Sequence, residues 1–380
     1  MTFILLTFSA EWSHANVQES VISSQVERLD LSQVEEFWKD LMADYKGYLP
    51  GSEHPGIVSL IMSQGDEFSI TQALSGILKY FLHELLINGK LLGMIIIITV
   101  FAMILETMQS AFENNAVSKT AYAISYLVLI ILAINSFRIA IGYAQEAIGD
   151  MVSFMLALMP LVLALLAAMG NLASVAMFHP LIIFMVNVSG TVISTIIFPL
   201  LFLSAVLSIV SSLSDKYKVT QLANLLRNVS LGLLGVFLTI FLGIISVQGA
   251  TSAVADGITV RTAKYVTSNF VPVVGRMFAD ATDTVLGASL LVKNAVGVAG
   301  VFILILLCAF PAIKIFALAL VYNFSSAILQ PLGSSPIISC LSTIGKNLMF
   351  VFAALATVCL MFFLAITIII SAANLSIMVR

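Results

Sequence analysis

The chain has 380 residues, 60% hydrophobic and 10% charged, with a mean hydropathy of +1.08 and a formal net charge of −3. Soluble domains carry charge on about a quarter of their residues, so this composition points away from a water-soluble enzyme. The charge is also uneven: residues 1–90 hold 12 acids and 5 bases, while residues 91–380 hold 8 acids and 12 bases, as expected for an acidic arm joined to a membrane body.

The first residues read as a targeting segment. Thr2 to Ala10 is a short apolar run, and Ser13-His-Ala15 fits a small-x-small cleavage pattern, so residues 1–15 are predicted to be a signal peptide. The positive n-region of such a peptide is missing, because no Lys or Arg precedes Arg28.

Residues 16–90 are predicted to form a soluble or interfacial helical arm. Ser32-Gln-Val-Glu35 reads as a capping box. Val34, Phe37, Trp38, Leu41, Met42 and Tyr45 then recur on one helical face. Pro50-Gly51 and Pro55-Gly56 mark a loop. Ser69-Ile-Thr-Gln72 offers a second capping box, and the apolar stripe from Ile70 to Leu86 should stop at Asn88-Gly89. Either the stripes pack against the membrane body, or they serve as an elbow on the membrane or a partner's docking face. Trp38 and His83 read as packing and surface residues.

From residue 91 onward apolar runs dominate. A bilayer core of about 30 Å needs roughly 20 residues of helix, and backbone amides in hydrocarbon must be satisfied within the segment. The predicted fold class is therefore all-α: a polytopic helical membrane protein with a small N-terminal amphipathic-helix arm. Predicted spans are 91–110, 121–141, 151–170, 181–213, 229–248, 298–322 and 347–372. The fourth is too long for one simple crossing, so Pro199 either kinks it or divides it into a re-entrant pair. Pro160, Pro180, Pro311 and Pro331 are further candidate helix breaks.

Weak self-similarity relates 91–213 to 233–364. Leu91-Leu-Gly93 matches Leu233-Leu-Gly235, Lys119-Thr-Ala121 matches Arg261-Thr-Ala263, and Pro160 and Pro180-Leu181 match Pro311 and Pro331-Leu332. Apolar sequence also aligns with itself by chance, so a repeat and its absence both stand. In such a repeat 263–283 would replace a span. It is too polar for lipid, with Pro272 and Gly275 near its middle. It reads as a broken or re-entrant segment, or as amphipathic helices on the membrane surface.

The polar segment 256–295 concentrates the candidate functional residues. Arg261, Lys264, Arg276, Asp280, Asp283 and Lys293 lie there beside apolar spans, with Pro272 and Gly275. Charges in a membrane usually face a cavity or a partner, so these are candidate pathway or subunit-contact residues; the alternative is a solvated interface helix. Lys314 sits deep in 298–322, and Glu106 ends the first span. Asn187 to Thr191 should hydrogen-bond between helices, and Gly235, Thr239 and Gly243 form a small-residue stripe suited to close packing. Lys216, Lys218 and Arg227 place their loop on the cytoplasmic side by the positive-inside rule. Cys308, Cys340 and Cys359 read as small apolar core residues. No basic cluster suggests nucleic acid, and no Walker motif, zinc spacing or catalytic constellation occurs. No enzyme activity, cofactor or metal is expected.

Long stretches carry a family resemblance: Glu36-Phe-Trp-Lys-Asp40, Asn88-Gly-Lys-Leu-Leu-Gly93, Lys218-Val-Thr-Gln-Leu-Ala-Asn-Leu-Leu-Arg-Asn228, Phe237 to Gly243, Phe278-Ala-Asp-Ala-Thr-Asp-Thr284 and Ile328-Leu-Gln-Pro-Leu-Gly333. From about Val34 to Arg380 the chain resembles the stage III sporulation protein AE family of endospore-forming Firmicutes. The resemblance implies a membrane component of the channel, or feeding tube, between mother cell and forespore. It implies a place in the outer forespore membrane with the other stage III A proteins, and stage II sporulation protein Q contributing from the forespore side. It carries no catalytic residues. A scaffold that conducts nothing and a secondary-transporter-like permease are the alternatives.

Overall fold

The computed structural model describes residues 29–49, 56, 70–111, 116–213, 218–270, 274–333 and 335–378. Every regular element among them is helical, as the apolar runs demand. The helices are α1 (Ser32–Asp44), α2 (Ile70–Ile87), α3 (Gly89–Ala111), α4 (Ala116–Ala168) and α5 (Leu172–Val192). A π-helical turn (Ile193–Ile197) joins α5 to α6 (Phe198–Leu213); α7 (Thr220–Phe270), α8 (Val274–Leu329) and α9 (Pro336–Met378) follow. The predicted signal peptide 1–15 and the Pro-Gly residues 50, 51 and 55 lie outside the described residues.

Among the described residues six helical runs are long and apolar enough to cross a membrane: Thr71–Met108, Lys119–Ala168, Leu172–Ser212, Thr220–Thr259, Leu286–Leu332 and Pro336–Ala372. Two predicted spans, 121–141 and 151–170, are thus parts of one helix. The polar residues Tyr143, Glu146 and Asp150 between them do not turn the chain back. Their side chains instead lie along a continuous 53-residue helix, about 80 Å long at about 1.5 Å per residue. Pro160, Pro180 and Pro311 are not breaks either: α4, α5 and α8 run on through them. A proline removes one amide donor and crowds one carbonyl, and a packed membrane helix can absorb that. Pro331 does fall at a break, in the short 3₁₀ turn before α9.

Pro199 acts in a third way. Its ring would collide with a carbonyl one turn back, and the helix widens into the π turn there. The chain continues in the same direction, so 181–213 is neither divided nor re-entrant. Contacts along its whole length fix this. Ser174 meets Asp256, Ser230 donates to the carbonyl of Ile197 at 3.0 Å, Ser204 donates to that of Ala223 at 2.7 Å, and Ser211 meets Thr220 at 2.6 Å. α5, the π turn and α6 therefore lie antiparallel to α7 in one continuous register.

The same logic orders the other helices. Tyr322 donates to Ser136 at 2.9 Å, and Leu158 meets Gly300, so α4 and α8 are antiparallel. Phe316 meets Phe352 and Ser326 donates to Ile338, so α8 and α9 are antiparallel as well. Arg227 over Phe350 and Phe241 beside Phe362 make α7 and α9 parallel. Among the described large apolar residues of α9 only Leu360 is exposed, so α9 is the core helix. Leu78, Ile97, Phe184 and Val247 keep the outer faces of α2, α3, α5 and α7 apolar and exposed, as a lipid-facing surface requires.

Close approach of α8 to its neighbours depends on two glycines. A Cβ on Gly300 would lie 2.5 Å from Leu158, and one on Gly297 would overlap Ile370. The predicted stripe at Gly235 and Gly243 does not pack: a Cβ at either meets nothing within 4 Å. The spacing of small residues gave their common face correctly but not what covers it. The α4–α5 turn closes with Gly170 at φ +81°, Gly170 N–H bonding Ala167 and Asn171 N–H bonding Leu166, a left-handed cap that glycine adopts cheaply.

Candidate functional site

The arm helix α1 begins at Ser32, but not through the predicted capping box. Asp30 accepts from the Ser32 amide and hydroxyl, which hold its carboxyl below the usual range, and Glu35 instead pairs with Lys39 at 3.0 Å. Val34, Trp38 and Leu41 are buried. Phe37 packs edge-on against Phe154 of α4, and Trp38 lies 6.4 Å from Phe302 of α8. The stripe is thus spent on the membrane body. α2 ends at Ile87, next to the predicted Asn88-Gly89 stop, but Asn88 bonds Glu84 and Leu92 bonds Asn88, so the chain runs almost directly into α3.

At the end of α1 the arm covers a cation. Tyr45 stacks flat on Phe310, with centroids 3.7 Å apart, and Tyr80 of α2 meets both rings edge-on. Lys314, one turn further along α8, is half-buried with its ammonium 5.0 Å from the Tyr143 ring and 5.9 Å from the Tyr45 ring. Aromatic faces attract such a cation more strongly as water is removed. Burial first, then Asp44, Glu146, Asp150 and Glu84 nearby, push the Tyr45 hydroxyl up to about 12. Arm, α2, α4 and α8 thereby enclose a polar seam inside an apolar body.

Lys293 is fully buried on α8, where its ammonium donates to the carbonyl of Ile370 and to Asn374 Oδ1 of α9. Asp256, also buried, accepts from the backbone amides of Ala173 and Ser174 and from the Ser174 hydroxyl. It therefore satisfies the open N–H groups at the start of α5.

The remaining predicted site residues lie on the last turns of α7 and the first turns of α8. Arg261 is exposed near the end of α7. Lys264 also lies on α7, while Gly275, Arg276, Asp280 and Asp283 lie on the first turns of α8. Pro272 falls between the two helices, outside the described residues. Within 263–283 one helix ends at Phe270 and the next begins at Val274, residues 271–273 lying outside the described residues, and both helices extend past their apolar windows at Thr259 and Leu286. Asn187 and Ser189 bond back to Ile183 and Met185 of their own helix rather than across helices. Glu106 accepts from Ser335 at 2.7 Å, tying α3 to the turn before α9. Sequence reasoning missed Asp256 and Tyr143. A lone carboxylate in a long apolar helix is a signal that could have found the first; nothing marked Tyr143. Among the described residues no group of three or more His, Cys, Asp or Glu could hold a metal ion.

Six long apolar helices with buried, partnered charges define a multi-pass membrane protein. The family model described as stage III sporulation protein AE matches residues 54–373. Stage III sporulation protein AE of Bacillus subtilis (strain 168) is 55% identical over 368 residues, covering 97% of this chain and 92% of that protein. The chain belongs to the stage III sporulation protein AE family, and with it to the stage III A group of sporulation proteins. A role in sporulation follows, in a family named for a developmental stage rather than a reaction. No solved structure matches the chain.

Proposed function

We propose that this protein is a non-catalytic membrane component of the channel joining mother cell and engulfed forespore, and that its helical body lines or gates the transport pathway. It would sit in the outer forespore membrane with the other stage III A proteins, with stage II sporulation protein Q contributing from the forespore side. The observation that carries the gating role is Lys314. An ammonium half-way along an apolar helix is costly unless protein or water shelters it, and here the shelter is the arm helix through Tyr45. Undocking α1 would open that seam to water. Arg261, Lys264, Gly275, Arg276, Asp280 and Asp283, on the far extensions of α7 and α8, with Pro272 between them in sequence, would form its mouth or a subunit contact, with Lys293 behind them.

Cysteine-accessibility labelling at 264, 276, 280, 283 and 314 in sporulating cells tests this reading. Water-accessible positions along one face are expected, with labelling at 314 rising when Tyr45 is replaced by alanine. Uniform protection sinks the conduit.

Two other readings each have one observation in their favour. The exposed charges of α1, Glu36, Lys39, Asp40 and Asp44, leave a surface on which a scaffold could hold partners. Reversing Glu36 and Asp40 to lysine should then abolish partner recruitment. The permease reading is favoured by chain sense: α8 runs opposite to α4 and α9 opposite to α5–α6, as in inverted repeats. Transport by the purified protein alone in vesicles would favour it over a channel component.

A further inference from the structure

The bundle is two-faced at one height. Phe37 of α1 packs edge-on against Phe154 of α4, and Val152, two residues earlier on α4, lies against Gly190 of α5. Along α5 and the π turn, Gly190 stands between Ser174 and Ile197, which meet Asp256 and Ser230 of α7. The antiparallel register therefore sets Gly190, and with it Phe37, level with Ile240 of α7. Gln145 ties α4 to the π turn near the same height, donating to the carbonyl of Ser194 at 3.3 Å.

Around this height one side is charged and the other apolar. Glu36, Lys39, Asp40 and Asp44 of α1 and Glu146 and Asp150 of α4 are exposed. On α7 the outward residues are Val236, Ile240 and Ile244, and on α5 Phe184, all exposed as well. The core helix α9 stands between the two sides. It packs on α4 and α8, which carry the arm, and on α7 through Phe241 and Phe362.

No placement of a flat bilayer suits a single copy. α7 exposes apolar side chains from Leu222 to Ile258, a stripe of about 54 Å at about 1.5 Å per residue. A hydrocarbon slab of about 30 Å laid anywhere within that stripe includes Ile240, and with it the height of Glu36 and Asp40. Charged side chains at such depth are costly unless they face protein or water. The arm side must therefore be walled off from lipid where α7 meets it.

We propose that several copies of this chain close into a ring in the membrane, with α5 and α7 turned outward to lipid and the α1–α4 side turned inward on a shared aqueous space. Rotational symmetry brings every charged side to one axis, and each copy supplies the same stretch of wall, so no second kind of protein is required. This deepens the channel reading, on which it rests only for what passes through the space; the assembly is tested without transport.

The first test is native mass spectrometry of the purified full-length wild-type protein released directly from lipid vesicles. The expected mass is several times the 40.8 kDa of one chain; a single copy overturns the proposal. The second places spin labels at Asp40→Cys, Glu146→Cys, Ile240→Cys and Val247→Cys in a Cys308→Ala/Cys340→Ala/Cys359→Ala protein in vesicles. Collisions with a polar nickel chelate report water, and collisions with molecular oxygen report lipid. The nickel-to-oxygen ratio should be on the order of tenfold higher at 40 and 146 than at 240 and 247, because polar solutes are excluded from hydrocarbon. Equal ratios on the two sides, or protection of 40 and 146 from both reagents, overturn the shared aqueous space. Should the cysteine-free protein fail to fold, the wild-type mass still decides. A ring in which position 314 stays protected after Tyr45→Ala sinks the gate and leaves the assembly standing, whereas a lone copy does the reverse.

Discussion

Asp256 on α7 and Ser174 on α5 stand 82 residues apart in sequence, yet the carboxylate of the first closes the helix that the second begins. The Ser174 amide donates to Asp256 Oδ2 at 3.0 Å, and the Ala173 amide donates to Oδ1 at 2.8 Å. The α5 N-terminus thus has its cap supplied by a neighbouring helix, its own N-cap residue Asn171 making no side-chain cap bond. Asp256→Ala should lower stability by about 1–3 kcal/mol, because a buried and a half-buried amide lose their acceptor. Ser174→Ala, which loses one hydroxyl bond, should cost less, about 0.5–1.5 kcal/mol. Chemical unfolding in detergent reads both, and equal costs for the two variants would contradict the assignment.

The Lys293–Asn374 contact makes an asymmetric prediction. Asn374→Leu leaves a buried ammonium short of a partner and should destabilise the protein by about 3 kcal/mol. Lys293→Met, which removes the charge itself, should cost less, and Lys293→Met/Asn374→Leu should approach the wild type. A double-mutant cycle measures the coupling; purely additive effects would mean that the two side chains do not meet.

Docking of the arm should weaken in strong alkali. Burial raises the folded-state value of Tyr45 from 10.0 to about 12. Between those values the undocked phenol releases its proton while the docked one retains it. More protons are then bound in the docked form, so docking is lost as pH rises from about 10 towards 12. Trp38, buried at 3% exposure, reports this through its emission in a Trp12→Phe background. Tyr45→Phe keeps the stacked ring and should remove this component of the pH dependence. The same curve in both proteins would refute it.

Two glycine substitutions separate packed from open helix faces. Gly300→Val must displace Leu158 and should cost about 1–3 kcal/mol by overpacking. Gly235→Ala adds a methyl group where nothing lies within 4 Å. It should be neutral or stabilise α7 by up to about 1 kcal/mol, since alanine favours helix over glycine. Melting temperatures of the two variants in one detergent decide the matter.

The apolar runs were sufficient to give the helical class, because a chain that cannot hydrogen-bond to lipid must satisfy its amides internally. Composition likewise marked Lys293 and Lys314 as costly and in need of shelter. Helix continuity was not legible in the same way. Polar residues at Tyr143, Glu146 and Asp150 look like a loop when read along the chain, whereas in space they form the wall on which the arm sits. Proline gave equally mixed signals: Pro331 ends a helix, Pro199 widens one, and Pro160 sits within one.

Local sequence thus determined which segments are helices and which charges require partners, since propensity and solvation act residue by residue. Tertiary structure alone decided that Lys314 lies under Tyr45, that Asp256 caps α5, and that Gly300 rather than Gly235 is the close contact. Those relations join residues far apart in the chain, and they depend on helix register, which is set by the packing of whole surfaces rather than by any short stretch of residues.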